Sequence, residues 1–173
     1  MRKKTIFITG AGAGIGAATA RLFAEAGWQV GLFDRDFAAV TQLAREIGHD
    51  RAMAGSLDVS NTKQWHSALD GFVQWAGQLD VLLNNAGILY SGAFENTSLE
   101  DHSRTIQVNV NGVLNGCHSG FEHLKANTHG ARIINLSSTS AIYGQTNLAS
   151  YSASKFAVRG LTEALDNEWK SHN

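Results

Sequence analysis

No proline occurs anywhere in the 173 residues, and the chain carries a single cysteine, Cys117. The first absence leaves no proline-rich linker, and no other linker, internal repeat or low-complexity tract takes its place. The lone thiol excludes an internal disulfide and fits a reducing, cytoplasmic compartment. It reads as a small buried hydrophobe rather than a nucleophile. Neither sign of charge is in excess, with 14 Lys and Arg against 15 Asp and Glu, so there is no basic footprint for nucleic acid or a membrane surface. No run approaches the roughly 18 apolar residues of a membrane span. The opening "MRKKTIFITG" has the basic head of a signal peptide, but "TIFI" is too short to be its apolar stretch and reads as a strand. The seven histidines show no ligand spacing (His118 and His123 are five apart, and no His/Glu/Cys cluster is formed), so no metal site is expected and most of them read as surface positions.

What is present is length enough for one domain, residues 1–173, burying roughly 70% of its unfolded surface. Apolar runs alternate with helical patterns. Strands are expected at 4–9, 28–34, 51–59, 79–87 and 131–138, and helices at 14–27, 37–48, 61–77, 98–127 and 151–170. Asn61 and Ser98 are good N-caps, the latter with Asp101 in the manner of a capping box, and Gly27, Gly48 and Gly77 close helices. The long stretch 98–127 is expected to bend near Gly112 or Gly116. Strict β-α alternation with apolar strands predicts an α/β fold: a doubly wound parallel sheet of Rossmann type in three layers, α/β/α. Five strands are counted where the full dinucleotide fold has six.

The loop after the first strand reads "TGAGAGIG", with glycine at 10, 12, 14 and 16. Two spacings fit. Gly12, Gly14 and Ala17 satisfy G-x-G-x-x-G/A, and Gly10, Gly14 and Gly16 satisfy G-x-x-x-G-x-G. Either way, glycines let the backbone turn sharply and approach a phosphate, and the helix N-terminus offers N–H groups and partial positive charge to a pyrophosphate. A Walker loop is excluded, because it needs Gly-Lys-Ser/Thr and no lysine stands here. Asp34 ends the second strand, where a carboxylate accepts from both ribose hydroxyls of adenosine and repels a 2′-phosphate. That favours NAD. Arg35 is the residue that would suit a 2′-phosphate, which leaves NADP second. Asp58 closes the third strand with Val59 beside it, placed to touch an adenine or to form an ordinary turn.

Tyr151 and Lys155 stand four apart on one helix face. A free phenol ionises near pH 10 and is a poor base at neutrality. A lysine charge about 4 Å away is worth roughly 4 kcal/mol at an effective dielectric of 20, enough to make a phenol usable as a general acid/base. Alone, Y-x-x-x-K more often marks two surface positions of an amphipathic helix. Here it follows "NNAG" (84–87), "NVNG" (109–112) and "INLSS" (134–138) in order. No G-x-S-x-G elbow surrounds Ser138, which argues against a serine hydrolase.

With these motifs the chain resembles the short-chain dehydrogenase/reductase family from residue 4 to its end. The family's TGxxxGxG is held by Thr9, Gly10, Gly14 and Gly16, which leaves Gly12 as a spacer expected to accept Ala or Ser. The resemblance implies hydride transfer between NAD(H) and an alcohol or carbonyl substrate. Ser138 would hold the substrate oxygen and Tyr151 would give or take its proton. Lys155 would bind the nicotinamide ribose and assist the tyrosine, and Asn109 would hold a relay water. Gly10, Ala13, Gly14, Ile15, Gly16, Asp34, Arg35, Asp58, Val59, Asn85, Ala86 and Gly87 would line the cofactor with Tyr151 and Lys155. Ser138, Ser140, Gln145 and Tyr151 would meet a small alcohol or ketone, with Tyr143 and Leu148 also facing the pocket. Homodimers or homotetramers packed through 98–127 and 151–170 are implied, with sedimentation as the check. The family fold continues into further strands and a substrate-covering helix pair after the point reached by "NEWKSHN", so the fifth strand is expected to be an exposed edge. A non-catalytic nucleotide-binding or dimerising module is the alternative that follows.

Overall fold

The computed structural model describes residues 2–172. Five parallel strands lie in the order β3-β2-β1-β4-β5: β1 Thr5–Thr9, β2 Gln29–Asp34, β3 Ala52–Ser56, β4 Val81–Asn84 and β5 Arg132–Asn135. The helices are α1 Gly14–Glu25, α2 Phe37–Ile47, α3 Thr62–Ala76, α4 Leu99–Ile106, α5 Gly112–Lys125 and α6 Ala149–Glu168. The chain winds outward from β1 to β3, returns to the centre at β4 and continues the other way to β5. The doubly wound topology is as expected, and the order reverses between β1 and β4, where a crevice opens at the strands' carboxyl ends.

β1 is buried at every position because both its faces are covered. Ile6 and Ile8 pack with Val30, Leu32, Val40 and Leu43 under α1 and α2. Phe7, on the opposite face, packs with Phe33, Trp65, Leu69 and Phe72 against α3. Each such side chain contributes about 1.5–3 kcal/mol by burial. Phe7 and Phe33 stack with centroids 4.0 Å apart, and Phe72 meets Phe7 edge-on at 5.5 Å. Two strand glycines make room for these rings. A Cβ on Gly31 would lie 2.7 Å from Phe72 Cδ2, and one on Gly55 would lie 2.3 Å from Phe33 Cε1. Cys117 is buried against α6 with Val113 and Val158, and burial pushes its thiol up to about 11, with the Asn135 hydrogen bond opposing. It is a packing residue.

The strands are shorter than their apolar runs. Beyond Ser56, Leu57 and Val59 turn into the core instead of extending the ladder. The stretch 98–127 is one helical run from Leu99 to Lys125, and its winding changes just before Gly112. Asn61 caps α3 by accepting from the Lys63 and Gln64 N–H groups, and Ser98 caps α4 by accepting from the Asp101 N–H at 3.0 Å. Between α4 and α5 the chain makes a π-helical turn, Gln107–Asn111. Gly112 and Gly116 lie just after it and serve close packing. A Cβ on Gly112 would meet Val59 Cγ2 at 2.7 Å, and one on Gly116 would meet Asn84 Oδ1 at 2.2 Å. β5 is an edge strand pairing only with β4, and Ile134 is 46% exposed. Among the described residues no helix is long and apolar enough to cross a membrane.

Asp80, at the entry of β4, joins segments distant in sequence. It takes two bonds from Arg2 at 2.9 and 3.1 Å, one from the Thr5 N–H at 2.8 Å, one from Gln78 at 2.9 Å and one from Asn127 at 2.8 Å. Burial alone would push this carboxyl up. The bonds from Arg2, Asn127 and Thr5 and the Arg2 charge outweigh it and hold the group below its ordinary value. A depressed folded-state pKa adds stability that is fully present above the unfolded-state value, near 3.9, and is lost as pH falls through the folded value. Asp80→Asn is expected to destabilise the fold by about 2–3 kcal/mol at neutral pH. The gap to wild type should shrink below about pH 4. Urea unfolding at pH 7 and pH 3 checks this, and a gap independent of pH would contradict it.

Candidate active site

The crevice at the carboxyl ends of β1 and β4 is built on hydrogen bonds from one strand exit to the other. Thr9 Oγ accepts from the Asn85 and Ala86 N–H groups, both at 3.0 Å. Asn85 Nδ2 donates back to the carbonyls of Thr9 at 2.8 Å and Gly10 at 3.1 Å. Gly10 has φ +64°, and a Cβ there would lie 2.8 Å from Ala86 Cα, so the first turn of the loop requires glycine. Gly16 faces inward, where a Cβ would lie 2.2 Å from the Gly10 carbonyl oxygen. Gly14 has φ +52° and nothing within 4 Å of its Cβ position. Ala13 and Ile15 beside it are exposed, Ile15 by 62%. No side chain caps α1 and no acid stands in its first turn, so the N–H groups and positive end of the helix face the mouth of the crevice.

Asp34 is held in place from both sides. Its Oδ2 accepts from the Gly12 N–H and its Oδ1 from the Asp36 N–H, each at 3.0 Å. Each oxygen keeps a lone pair for a further donor. Gly12, expected to be a tolerant spacer, packs against this carboxylate. A Cβ there would stand 3.0 Å from Asp34 Oδ2 and 3.2 Å from Ala39 Cβ. Arg35 is exposed. Asp58 is committed to its surroundings, accepting from the Ser60 N–H at 2.9 Å and hydroxyl at 2.6 Å and pairing with Arg104 of α4 at 3.2 Å. Burial pushes its carboxyl up, but the Ser60 and Arg104 bonds bring it below its ordinary value. Val59 is buried, with its carbonyl accepting from Trp65 Nε1 and Asn115 Nδ2.

Asn109 is fully buried in the π turn. Its Oδ1 accepts from the Ile88 N–H at 2.8 Å, and its Nδ2 donates to the Ile88 carbonyl at 2.9 Å and to Ser154 Oγ at 3.1 Å. Both amide donors are thus used in bracing the β4 exit, past Gly87, against α6. Ser138 caps a short 3-10 turn, Thr139–Ala141, by accepting from the Ser140 N–H at 3.1 Å. Ser140 is itself buried, whereas Tyr143 is 60% exposed. Gln145 and Leu148 are half-buried just before α6.

Tyr151 and Lys155 stand one turn apart in α6. Lys155 is 5% exposed, its Nζ donates to the Leu136 carbonyl at 2.7 Å, and it lies 5.6 Å from the centroid of the Tyr151 ring. Among the described residues no carboxylate pairs with it. Burial accordingly pushes the ammonium pKa down. An uncompensated buried cation beside a phenol is expensive for folding alone, and it is an arrangement that favours developing negative charge nearby.

Sequence reasoning passed over the serines around this pair. Ser154 Oγ donates to the Tyr151 carbonyl at 2.6 Å, and Ser152 Oγ accepts from the Gln145 N–H at 3.2 Å. Their spacing at 150, 152 and 154 was visible, but their partners lie in other elements. Among the described residues no group of three His, Cys, Asp or Glu side chains is placed to hold a metal ion.

The family model described as short chain dehydrogenase matches residues 4–173. A 3-beta-hydroxysteroid dehydrogenase of Comamonas testosteroni is 38% identical over 164 residues, 95% of this chain and 63% of that protein. A meso-2,3-butanediol dehydrogenase of Serratia marcescens is 38% identical over 162 residues, 94% of this chain and 64% of that protein. Among solved structures, a short chain dehydrogenase/reductase from Burkholderia phymatum in complex with NAD superposes with TM-score 0.94 at 29% identity, over 99% of this chain and 62% of that one. A 3-ketoacyl-(acyl-carrier-protein) reductase from Brucella melitensis complexed with NADH gives 0.93 at 36% identity. The chain thus spans a little under two thirds of the length of the curated relatives it matches.

Proposed function

Since the chain belongs to the short chain dehydrogenase family, we propose that it is the nucleotide-binding and catalytic part of an NAD-dependent oxidoreductase acting on an alcohol or carbonyl group. The observation that carries this reading is the buried Lys155, unpaired with any carboxylate among the described residues and 5.6 Å from the Tyr151 ring, in a fold whose β1–α1 turn is a glycine-lined helix N-terminus.

The crevice fits a dinucleotide. At Gly14 a Cβ would meet nothing, so open space lies where a phosphate would approach, and the α1 N–H groups face it. Asp34, held by two backbone N–H groups, presents its remaining lone pairs to a ribose diol, and its charge disfavours a 2′-phosphate. NAD, when bound, supplies or accepts the hydride. This chain's residues do the rest. Lys155 donates to the ribose hydroxyls and places positive charge near the reacting oxygens. Ser138 offers its hydroxyl to the substrate oxygen, and Tyr151 passes the proton at that oxygen. Asn109 holds the β4 exit and α6 at fixed separation. A relay water there would have the second lone pair of Asn109 Oδ1 to bind.

Titration with NADH and NADPH tests the binding half of this reading. NADH is expected to bind at least about tenfold more tightly, since repulsion from Asp34 by a 2′-phosphate is worth more than about 1.4 kcal/mol. Gly12→Ala, by pressing on Asp34 Oδ2, is expected to erode that preference. Equal affinity for both nucleotides, or an unchanged preference in Gly12→Ala, would overturn it.

A further inference from the structure

His102 of α4 has no part in the chemistry just described, yet both its ring nitrogens are engaged and one of them reaches the residue before Tyr151. The ring stacks on Phe94 with centroids 4.5 Å apart. Nε2 lies 3.1 Å from the Phe94 carbonyl oxygen. A carbonyl only accepts, so Nε2 carries the proton, and in the neutral ring Nδ1 is an acceptor. Nδ1 lies 2.5 Å from Ser150 Oγ, which therefore donates. A second bond runs beside it, from the Gly92 N–H to the Asn147 carbonyl at 3.0 Å. The segment after β4 is thus tied to the start of α6 at two points.

The start of α6 needs such ties. Its first N–H groups have no partners within the helix, and Leu148, at the N-cap position, offers no side-chain cap. Tyr151 stands in this first turn. The serines on either side of it are bonded outside the helix: Ser152 accepts from the Gln145 N–H, Ser154 accepts from Asn109 Nδ2, and Ser150 donates to His102.

We propose that His102 is a positioning residue for Tyr151, fixing the first turn of α6 against α4 and the Phe94 segment through Ser150. This inference rests on Tyr151 being the acid/base group. His102→Phe keeps an aromatic ring over Phe94 and removes both hydrogen bonds. It is expected to lower kcat about tenfold, short of the roughly 10²-fold that a 1 Å misplacement can cost, with the NADH dissociation constant unchanged. Ser150→Ala should lose a similar factor. The double variant should be no worse than the poorer single one, because both remove the same bond. His102→Asn, whose Oδ1 stands about where Nδ1 did, should recover most of the loss. Unchanged kcat in His102→Phe, or losses that multiply in the double variant, would overturn the proposal. If His102→Phe fails to fold, Ser150→Ala decides by the same criterion. Tyr151→Phe run alongside separates the two readings. Retained turnover there removes both, whereas its loss with His102→Phe unimpaired removes only the positioning role.

Discussion

Tyr151→Phe is expected to lower kcat for oxidation of a secondary alcohol by about 10²–10⁴-fold while leaving NADH binding and stability where they are. The substitution removes one oxygen and keeps the ring. The helix turn around it loses nothing, because the bond from Ser154 goes to the residue 151 carbonyl and the ties at Ser150 and Ser152 belong to neighbouring side chains. On the proposed reading, what disappears is the group that would carry a proton to or from the substrate oxygen, leaving Lys155 to act only on the nucleotide. An acid/base role therefore predicts a loss confined to kcat, since an interaction made only in the transition state does not show in ground-state binding. Turnover kinetics and NADH titration on the same preparations check this. Retained turnover would remove Tyr151 from the chemistry. A parallel fall in binding and melting temperature would make it a structural residue.

The parts of this molecule legible in the sequence are those set by local pattern. Parallel strands covered on both faces must be apolar almost throughout, and "TIFIT" and "VGLF" show it directly. Tyr151 and Lys155 meet because a helix brings i and i+4 together. Two strand-to-helix turns were marked by the N-caps Asn61 and Ser98, and three helix-to-strand turns by Gly27, Gly48 and Gly77. What stayed hidden depends on partners far away in sequence. Asp80 gathers residues 2, 5 and 127, and His102 reaches a serine 48 positions on. The π turn at Gln107–Asn111 holds no glycine or proline itself, and only the expectation of a bend near Gly112 or Gly116 pointed to this part of the helix. Those glycines follow a different need, the close approach of α5 to Val59 and Asn84. A glycine in a sequence states that a side chain is absent and gives no reason for it.

That ambiguity is sharpest in the phosphate loop, and Gly16 is where resolving it has the largest consequence. Gly16→Val is expected to abolish NADH binding and to destabilise the fold by on the order of 3 kcal/mol. A Cβ at 16 would lie 2.2 Å from the Gly10 carbonyl oxygen, 2.8 Å from its carbon and 2.7 Å from Asn85 Nδ2. None of these can yield alone. The Gly10 backbone stands against Ala86, and Asn85 Nδ2 is the donor that joins the exits of β1 and β4. Displacement therefore spreads from the loop into the centre of the sheet. Gly14 differs in kind. Its Cβ would meet nothing, but at φ +52° a side chain costs about 1–2 kcal/mol of backbone strain and would project where a phosphate must come. Gly14→Ala should stay folded, lose modest stability and bind NADH at least about tenfold more weakly, a difference of about 1.4 kcal/mol. Gly12→Ala should disturb only Asp34. Thermal unfolding paired with NADH titration for the three variants separates the roles. Wild-type stability in Gly16→Val would show that the loop can move away from β4, and equal losses at Gly12 and Gly16 would return the choice between the two glycine spacings to the open state in which the sequence alone leaves it.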